Sequence, residues 1–290
     1  EKGLLPKILS EVVHALQNRY SIDDFKRRIR FIYKDISDNE LAILGEFYDK
    51  LLKLELEGKN SIWVSIIRNA FAPMLKGKFD YIVGNPPWVN WENLPEEYRE
   101  ISKTLWSLYE LAEIRGKTGL GKVKRDLAML FLARCFDLYL KPGGKHGFLM
   151  PFTVFKTQAG AGFRSFLATK TKIIKIHDMV TLYPFEGATN RTSAIVVEKV
   201  CELDNIKKNE CPEINKVRVK NKKAKHIIWV NKTGKPIPTD TPLEEVLKAT
   251  SRFEAIMTPI VEKDLSSPWM QVTERILPYV RKITQGSSPY

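Results

Sequence analysis

Five consecutive residues, Gly84-Asn85-Pro86-Pro87-Trp88, carry the acceptors and the flat surface of a site for an aromatic amine. Asn85 brings one amide acceptor and two donors. The Pro86 carbonyl brings a second acceptor, and Trp88 brings an indole face. Two acceptors beside an aromatic plate suit a flat heterocycle with an exocyclic amino group. Adenine flipped out of DNA fits, because its N6 donates two hydrogen bonds while its ring stacks. Stacking a base on an aromatic side chain is worth roughly 1–3 kcal/mol. Two acceptors would also draw the amino nitrogen towards tetrahedral geometry, freeing its lone pair to attack a methyl sulfonium. The plainer alternative is a Pro-Pro turn after a strand, with Trp88 plugging the core.

Such a tip needs a strand that stops abruptly at a ligand-binding edge. Tyr81-Ile82-Val83 is a short β-branched and aromatic run of the kind that fills a covered strand. Gly84 permits close backbone approach. Pro86 and Pro87 cannot donate to a ladder, and each pushes its predecessor out of the α region. Asn85 and Pro86 are therefore expected to stand extended beyond the strand's carboxyl end, where open α/β sheets bind ligands.

The stretch "FDYIVGNPPW" resembles the catalytic motif of the amino-group DNA methyltransferases, specifically N6-adenine enzymes of the N-P-P-[YFW] type. The wider pattern is similar to the methylase portion of type IIG restriction–modification enzymes and related phage-defence methylases. The resemblance implies methyl transfer from S-adenosyl-L-methionine to adenine N6 in double-stranded DNA. It implies that Asn85 and the Pro86 carbonyl hold N6, that Pro87 stiffens the loop and that Trp88 stacks on the base. A second aromatic from a later loop closes the base in, and Phe185 in "LYPFEGATNRTS" matches best. A core Phe beside a turn is the alternative for Phe185. Asn190 and Arg191 of the same loop are candidates for DNA contact, inseparable at this level from turn chemistry.

Other elements read as halves of a doubly wound fold. "DLAMLFLARCFDLYL" (126–140) is an apolar helix, "KPGGKHGFLMPF" a Pro-Gly-Gly turn and a strand, "AGFRSFLAT" a helix, and "KIIKIHDMV" and "TSAIVVEKV" strands. Residues 92–114 read as helical. Residues 1–75 read as a helical insert, with capping-box patterns at Ser21/Asp24 and Ser37/Glu40. The expected fold is α/β: a partial doubly wound, Rossmann-like methyltransferase sheet with an N-terminal helical insert and a C-terminal linker region. The expected organisation is 1–75 helical insert, 76–200 catalytic half, and 201–290 basic strands leading towards a target-recognition domain. "KVRVKNKKAKH" (216–226) alternates valines with cations like a strand with one wet face, lying against phosphates or protected by its lysines as an edge.

Gly116, Gly121 and Lys122 match the phosphate-cradling G-x-x-x-x-G-K pattern, but Val123 stands where Ser or Thr would hold magnesium. A basic loop is the better reading, with Lys117, Lys122, Lys124 and Arg125 neutralising DNA phosphates. The cofactor motif itself is missing: no strand followed by a G-x-G turn precedes residue 79. The resemblance places an acidic contact to the cofactor's adenine before the catalytic strand; Asn69 is the nearest match, and Asn85 a second cofactor neighbour. The chain also lacks an initial Met. The expectation is the middle of a larger enzyme, with the cofactor-binding segment before it and the recognition domain after it.

The formal charge of +13 and pI near 9.5 favour an acidic partner, nucleic acid first. No apolar stretch is long enough to span a bilayer, and four scattered histidines show no metal spacing. Cys135, Cys201 and Cys211 form no CxxC pair, which fits a reducing, cytoplasmic setting. Two further readings stay open. One is a non-catalytic nucleic-acid-binding remnant of a methylase; the other is a methyltransferase acting on RNA or on a protein glutamine amide.

Overall fold

A computed structural model describes residues 4–57, 77–112, 125–182, 191–238 and 240–286. Contacts divide the chain into two compact units, residues 1–78 and 79–290.

In the first unit the apolar periodicity and the caps produce three helices, α1 (Leu4–Gln17), α2 (Ile22–Ile32) and α3 (Asp38–Leu56). Ser37 forms the full reciprocal box with Glu40, whereas Ser21 Oγ accepts only the Asp24 N–H and donates to its carboxylate. Phe25 of α2 stacks on Tyr48 of α3 at 4.2 Å, and the Tyr48 hydroxyl donates to the Ala15 and Tyr20 carbonyls. These helices have a core of their own.

The second unit is a seven-stranded mixed sheet. Its strands are β1 (Phe79–Gly84), β2 (Leu140–Pro151), β3 (Lys172–Asp178), β4 (Thr192–Glu198), β5 (Ala224–Asn231), β6 (Thr250–Pro259) and β7 (Trp269–Val272). The order across the sheet is β1-β2-β4-β3-β5-β6-β7. β1 runs parallel to β2, and β3 parallel to β5; the other neighbours are antiparallel. Helices α4 (Glu96–Leu108), α5 (Leu127–Leu138), α6 (Ala161–Lys170), α7 (Leu203–Lys207), α8 (Glu213–Asn221), α9 (Leu243–Ala249) and α10 (Leu277–Gly286) complete the unit. The main core joins Met129, Leu132 and Phe136 of α5 to Phe148 and Met150 of β2 and Phe163 and Leu167 of α6.

Three expectations change. Residues 213–221 form α8, not a strand: Ile214, Val217 and Asn221 are buried at helical spacing while Val219 is exposed. The Asn221 amide explains the choice, because its oxygen takes the Ile173 N–H and its nitrogen donates to the Ala168 and Thr171 carbonyls. Pro142-Gly143-Gly144 bends within β2 and is no free turn; Gly143 adopts φ +81 and its N–H meets the Lys199 carbonyl. Cys201 and Cys211, expected as thiols, are joined in a disulfide, because α7 folds the intervening residues back until the Cα atoms stand 6.3 Å apart. Residues beyond 200 also add three strands to the same sheet. Among the described residues no helix is long and apolar enough to cross a membrane.

Candidate active site

Among the described residues β1 ends the sheet on one side, and its carboxyl terminus delivers the Asn-Pro-Pro-Trp tip. Gly84 pairs with Phe148 of β2, and a Cβ at residue 84 would come 3.0 Å from the Phe148 ring, so a small residue lets the strand finish against that ring. Beyond it residues 85–89 take no regular structure, as two prolines require. Asn85 and Pro87 are exposed, Pro86 is buried and Trp88 is half-buried. The Asn85 amide and the Pro86 carbonyl accept no hydrogen bond among the described residues. Two acceptors are thus left available at the sheet's carboxyl edge. The Trp88 indole N–H donates to the Leu149 carbonyl of β2 at 3.3 Å, which pins the ring beside them.

The other end of the tip is strapped to the start of α5. The Leu127 N–H donates to the Val89 carbonyl and the Trp91 N–H to the Arg125 carbonyl, each at 2.8 Å, around an antiparallel bridge between Asn90 and Asp126. Trp91 is buried, donates from its indole to Ser102 Oγ of α4 at 3.0 Å, and lies under the Arg99 guanidinium. The tip is therefore held by a ladder on one side and a strap on the other, which limits its freedom before any ligand arrives. The strap residues were missed in the sequence. The available signal was Asp126 directly before an apolar helical run, the pattern of a helix N-cap.

Asp126 accepts the Ala128 N–H at 2.9 Å, and burial pushes its carboxyl up to about 6. A carboxyl whose folded value exceeds its unfolded value near 4 is costliest to the fold when ionised. Its contribution is fully favourable below pH 4 and is lost as pH rises through 6. Asp126→Asn keeps a capping oxygen and removes the charge. Its expected effect at pH 7.5 is a gain on the order of 1–2 kcal/mol, shrinking towards zero by pH 4. Urea unfolding at both pH values checks this; a variant less stable than wild type at pH 7.5 contradicts it.

The remaining expected site residues separate. Arg125 is buried, and burial pushes its guanidinium pKa down, with the nearby Glu92 carboxylate opposing that shift. Arg191 is exposed at the entrance to β4, its guanidinium 5.7 Å from the centre of the Phe152 ring. Asn69, Lys117, Lys122, Lys124, Phe185 and Asn190 lie outside the described residues. Cys201, Cys211 and the Glu213 carboxylate place potential ligand atoms within 4.8 Å of one another, a closeness the disulfide already accounts for. Before β1, the described residues are the three helices of the first unit, without a strand and Gly-rich turn to floor a nucleoside cofactor. They do not fit a complete S-adenosylmethionine site.

A family model described as Eco57I restriction-modification methylase matches residues 10–185. The chain is 27% identical over 173 residues to the type II methyltransferase M.HincII of Haemophilus influenzae, covering 56% of this chain and 32% of the relative. It is 29% identical over 207 residues to the type II methyltransferase M.PaeR7I of Pseudomonas aeruginosa, covering 67% and 32%. The chain thus spans about a third of the length of these curated relatives. Among solved structures it is similar to the methyltransferase subunit of a type I restriction-modification system from Streptococcus thermophilus, with a TM-score of 0.36, 16% identity, and coverage of 60% of this chain and 31% of that one. A nuclease-deletion mutant of the type ISP enzyme LlaGI in complex with a DNA substrate mimic gives a TM-score of 0.41 at 13% identity, covering 89% and 23%.

Proposed function

The chain belongs to the Eco57I family of restriction-modification methylases, and from that premise we propose that it forms the base-presenting half of an adenine-N6 DNA methyltransferase. The carrying observation is the pair of unengaged acceptors, Asn85 Oδ1 and the Pro86 carbonyl, at the end of β1 beside the pinned Trp88 indole. Adenine N6 has two hydrogens to give, one to each acceptor. Holding both weakens the conjugation of the amino nitrogen with the ring and localises its lone pair. As the nitrogen gains positive charge during methylation, acceptors already in place stabilise that charge without reorganising. Trp88 supplies one stacking face, and Phe185 is assigned the other.

The methyl donor is S-adenosylmethionine, bound chiefly by segments other than the described ones. The proposal includes a further part of the protein that covers β1. Among the described residues β1 pairs with β2 alone, while Tyr81 and Val83 are 71% and 86% exposed. A strand this apolar is built to be covered on both faces, and a preceding strand set carrying the cofactor floor answers that need. Target recognition is assigned to a region following this chain.

The test is transfer of labelled methyl groups by the full-length protein to DNA, RNA and protein offered separately. Label recovered as N6-methyladenine from duplex DNA is the expected result. Label confined to RNA or to protein glutamine overturns the substrate assignment. Absence of both transfer and donor binding identifies a non-catalytic remnant.

A further inference from the structure

Two cations on the carboxyl edge share one aromatic ring. Phe152 follows the end of β2 and is buried. Lys156 Nζ and the Arg191 guanidinium each stand 5.7 Å from its ring centre. Neither is free to drift. The Phe152 N–H donates to the Arg191 carbonyl at 2.7 Å, tying the entrance of β4 to the end of β2. Lys156 Nζ donates to the Trp269 carbonyl at 2.9 Å.

Both side chains are exposed, and among the described residues neither pairs with a carboxylate. Their charges act on each other: the Lys156 ammonium pKa is pushed down first by burial and then by Arg191, with Asp178 opposing. Holding two like charges over one ring raises the energy of the free protein, and an anion that takes donors from both relieves it. Chemistry and place together select the anion. Among the described residues no glycine with positive φ stands beside the pair to wrap a small free phosphate, and both side chains are exposed. The carboxyl edge is also the one bearing the proposed base site, since Trp88 is pinned to Leu149, three residues before Phe152.

We propose that Lys156 and Arg191, set over the Phe152 ring, form a two-point contact for a backbone phosphate of the DNA strand beside the flipped base. This rests on the DNA-methyltransferase reading. The contact positions the strand and reads no sequence. Arg191 was a candidate from the sequence, but Lys156, in "FTVFKTQ", had no motif to mark it.

The experiment measures binding of the full-length protein to a fluorescent duplex by anisotropy between 50 and 200 mM salt. The variants are Lys156→Gln, Arg191→Gln, the double variant, and a matched control, Lys216→Gln with Lys220→Gln. The control pair is exposed on α8, which docks against the start of β3, away from the carboxyl edge. Removing the clamp should flatten the slope of log K against log salt by about 1, the roughly 0.9 that one lost phosphate contact contributes. The loss should be equal on cognate and unrelated duplexes, Lys156→Arg should retain the slope, and the control should leave it unchanged. A double variant whose slope matches wild type, or falls no further than the control, overturns the proposal. If wild-type protein methylates no DNA, the functional reading fails by that result, while the salt slope still decides the clamp by itself.

Discussion

Asn85→Ala is expected to lower single-turnover methyl transfer about 100- to 1000-fold, while DNA affinity stays within a few-fold of wild type. The magnitude follows from what the side chain does. It is one of two acceptors at the carboxyl edge of β1, exposed and making no hydrogen bond within the described chain. Removing one preorganised partner of a developing charge costs about 3–4 kcal/mol in comparable sites. Binding is spared because backbone phosphates and the wider contact surface supply most DNA affinity. Asn85→Asp sharpens the test. It keeps an acceptor in nearly the same place and should retain more activity than alanine, whereas a purely structural asparagine would make the two variants alike. Quench-flow with labelled donor and a duplex carrying 2-aminopurine at the target separates transfer from flipping. Unchanged turnover in Asn85→Ala removes the residue from the mechanism.

Arg164→Met should cost about 3–5 kcal/mol of folding stability, the largest stability loss expected of any single substitution described. Arg164 is fully buried on α6 and its guanidinium faces main-chain oxygens on both sides. Nη1 donates to the Val154 and Thr157 carbonyls at 2.7 and 2.8 Å. Nε donates to the Ser266 and Ser267 carbonyls at 2.9 and 2.8 Å, and Nη2 to Ser266 at 2.7 Å. Burial pulls its pKa down to about 10, with Asp264 opposing, so the cation persists at neutral pH. Methionine fills comparable volume and donates nothing. Thr157 keeps the Gly160 N–H, but the other carbonyls lose their guanidinium donors inside the protein, where each unmet acceptor costs about 1–3 kcal/mol. Gly160 belongs to the same knot, since a Cβ there would collide with the Val154 carbonyl at 2.0 Å. Arg164→Lys should recover only part of the loss, because an ammonium cannot span the fork. Denaturant midpoints at constant m-value give the number; a loss under 1 kcal/mol shows that the bonds carry little net stability.

The strand and tip of the site were readable because their signals are local. Three β-branched or aromatic residues, a glycine and two prolines dictate a strand and its stop within ten positions. Helix starts at Ser37 and Ser21 were readable for the same reason. The strap between Val89 and Leu127 and the Arg164 knot were not. Both run largely through main-chain atoms, which every residue type possesses, so no side-chain pattern advertises them. The α8 stretch misled because Val217 and Val219 alternate with cations, while Asn221, the residue that locks the helix to β3, counts as polar in any periodicity. Strand order was equally hidden, since β4 inserts between β2 and β3 by long-range pairing. β6 escaped because Arg252, Phe253 and Glu254 are all exposed, and a wet ribbon has no clean alternation.

The bare flank of β1 bears on how this polypeptide behaves at the bench. Phe79, Tyr81 and Val83 project from one face of a strand whose outer hydrogen-bonding groups have no partner strand among the described residues. The charges near it are few: the Asp80–Lys141 pair, and Lys145 opposite Tyr81 on β2. Such a ribbon templates self-association, so material in which this flank stays bare would precipitate or form soluble clumps even when each copy is correctly folded. Poor solubility of this chain produced alone, relieved by co-expression with the proposed cofactor-binding part rather than by refolding, would support that proposal.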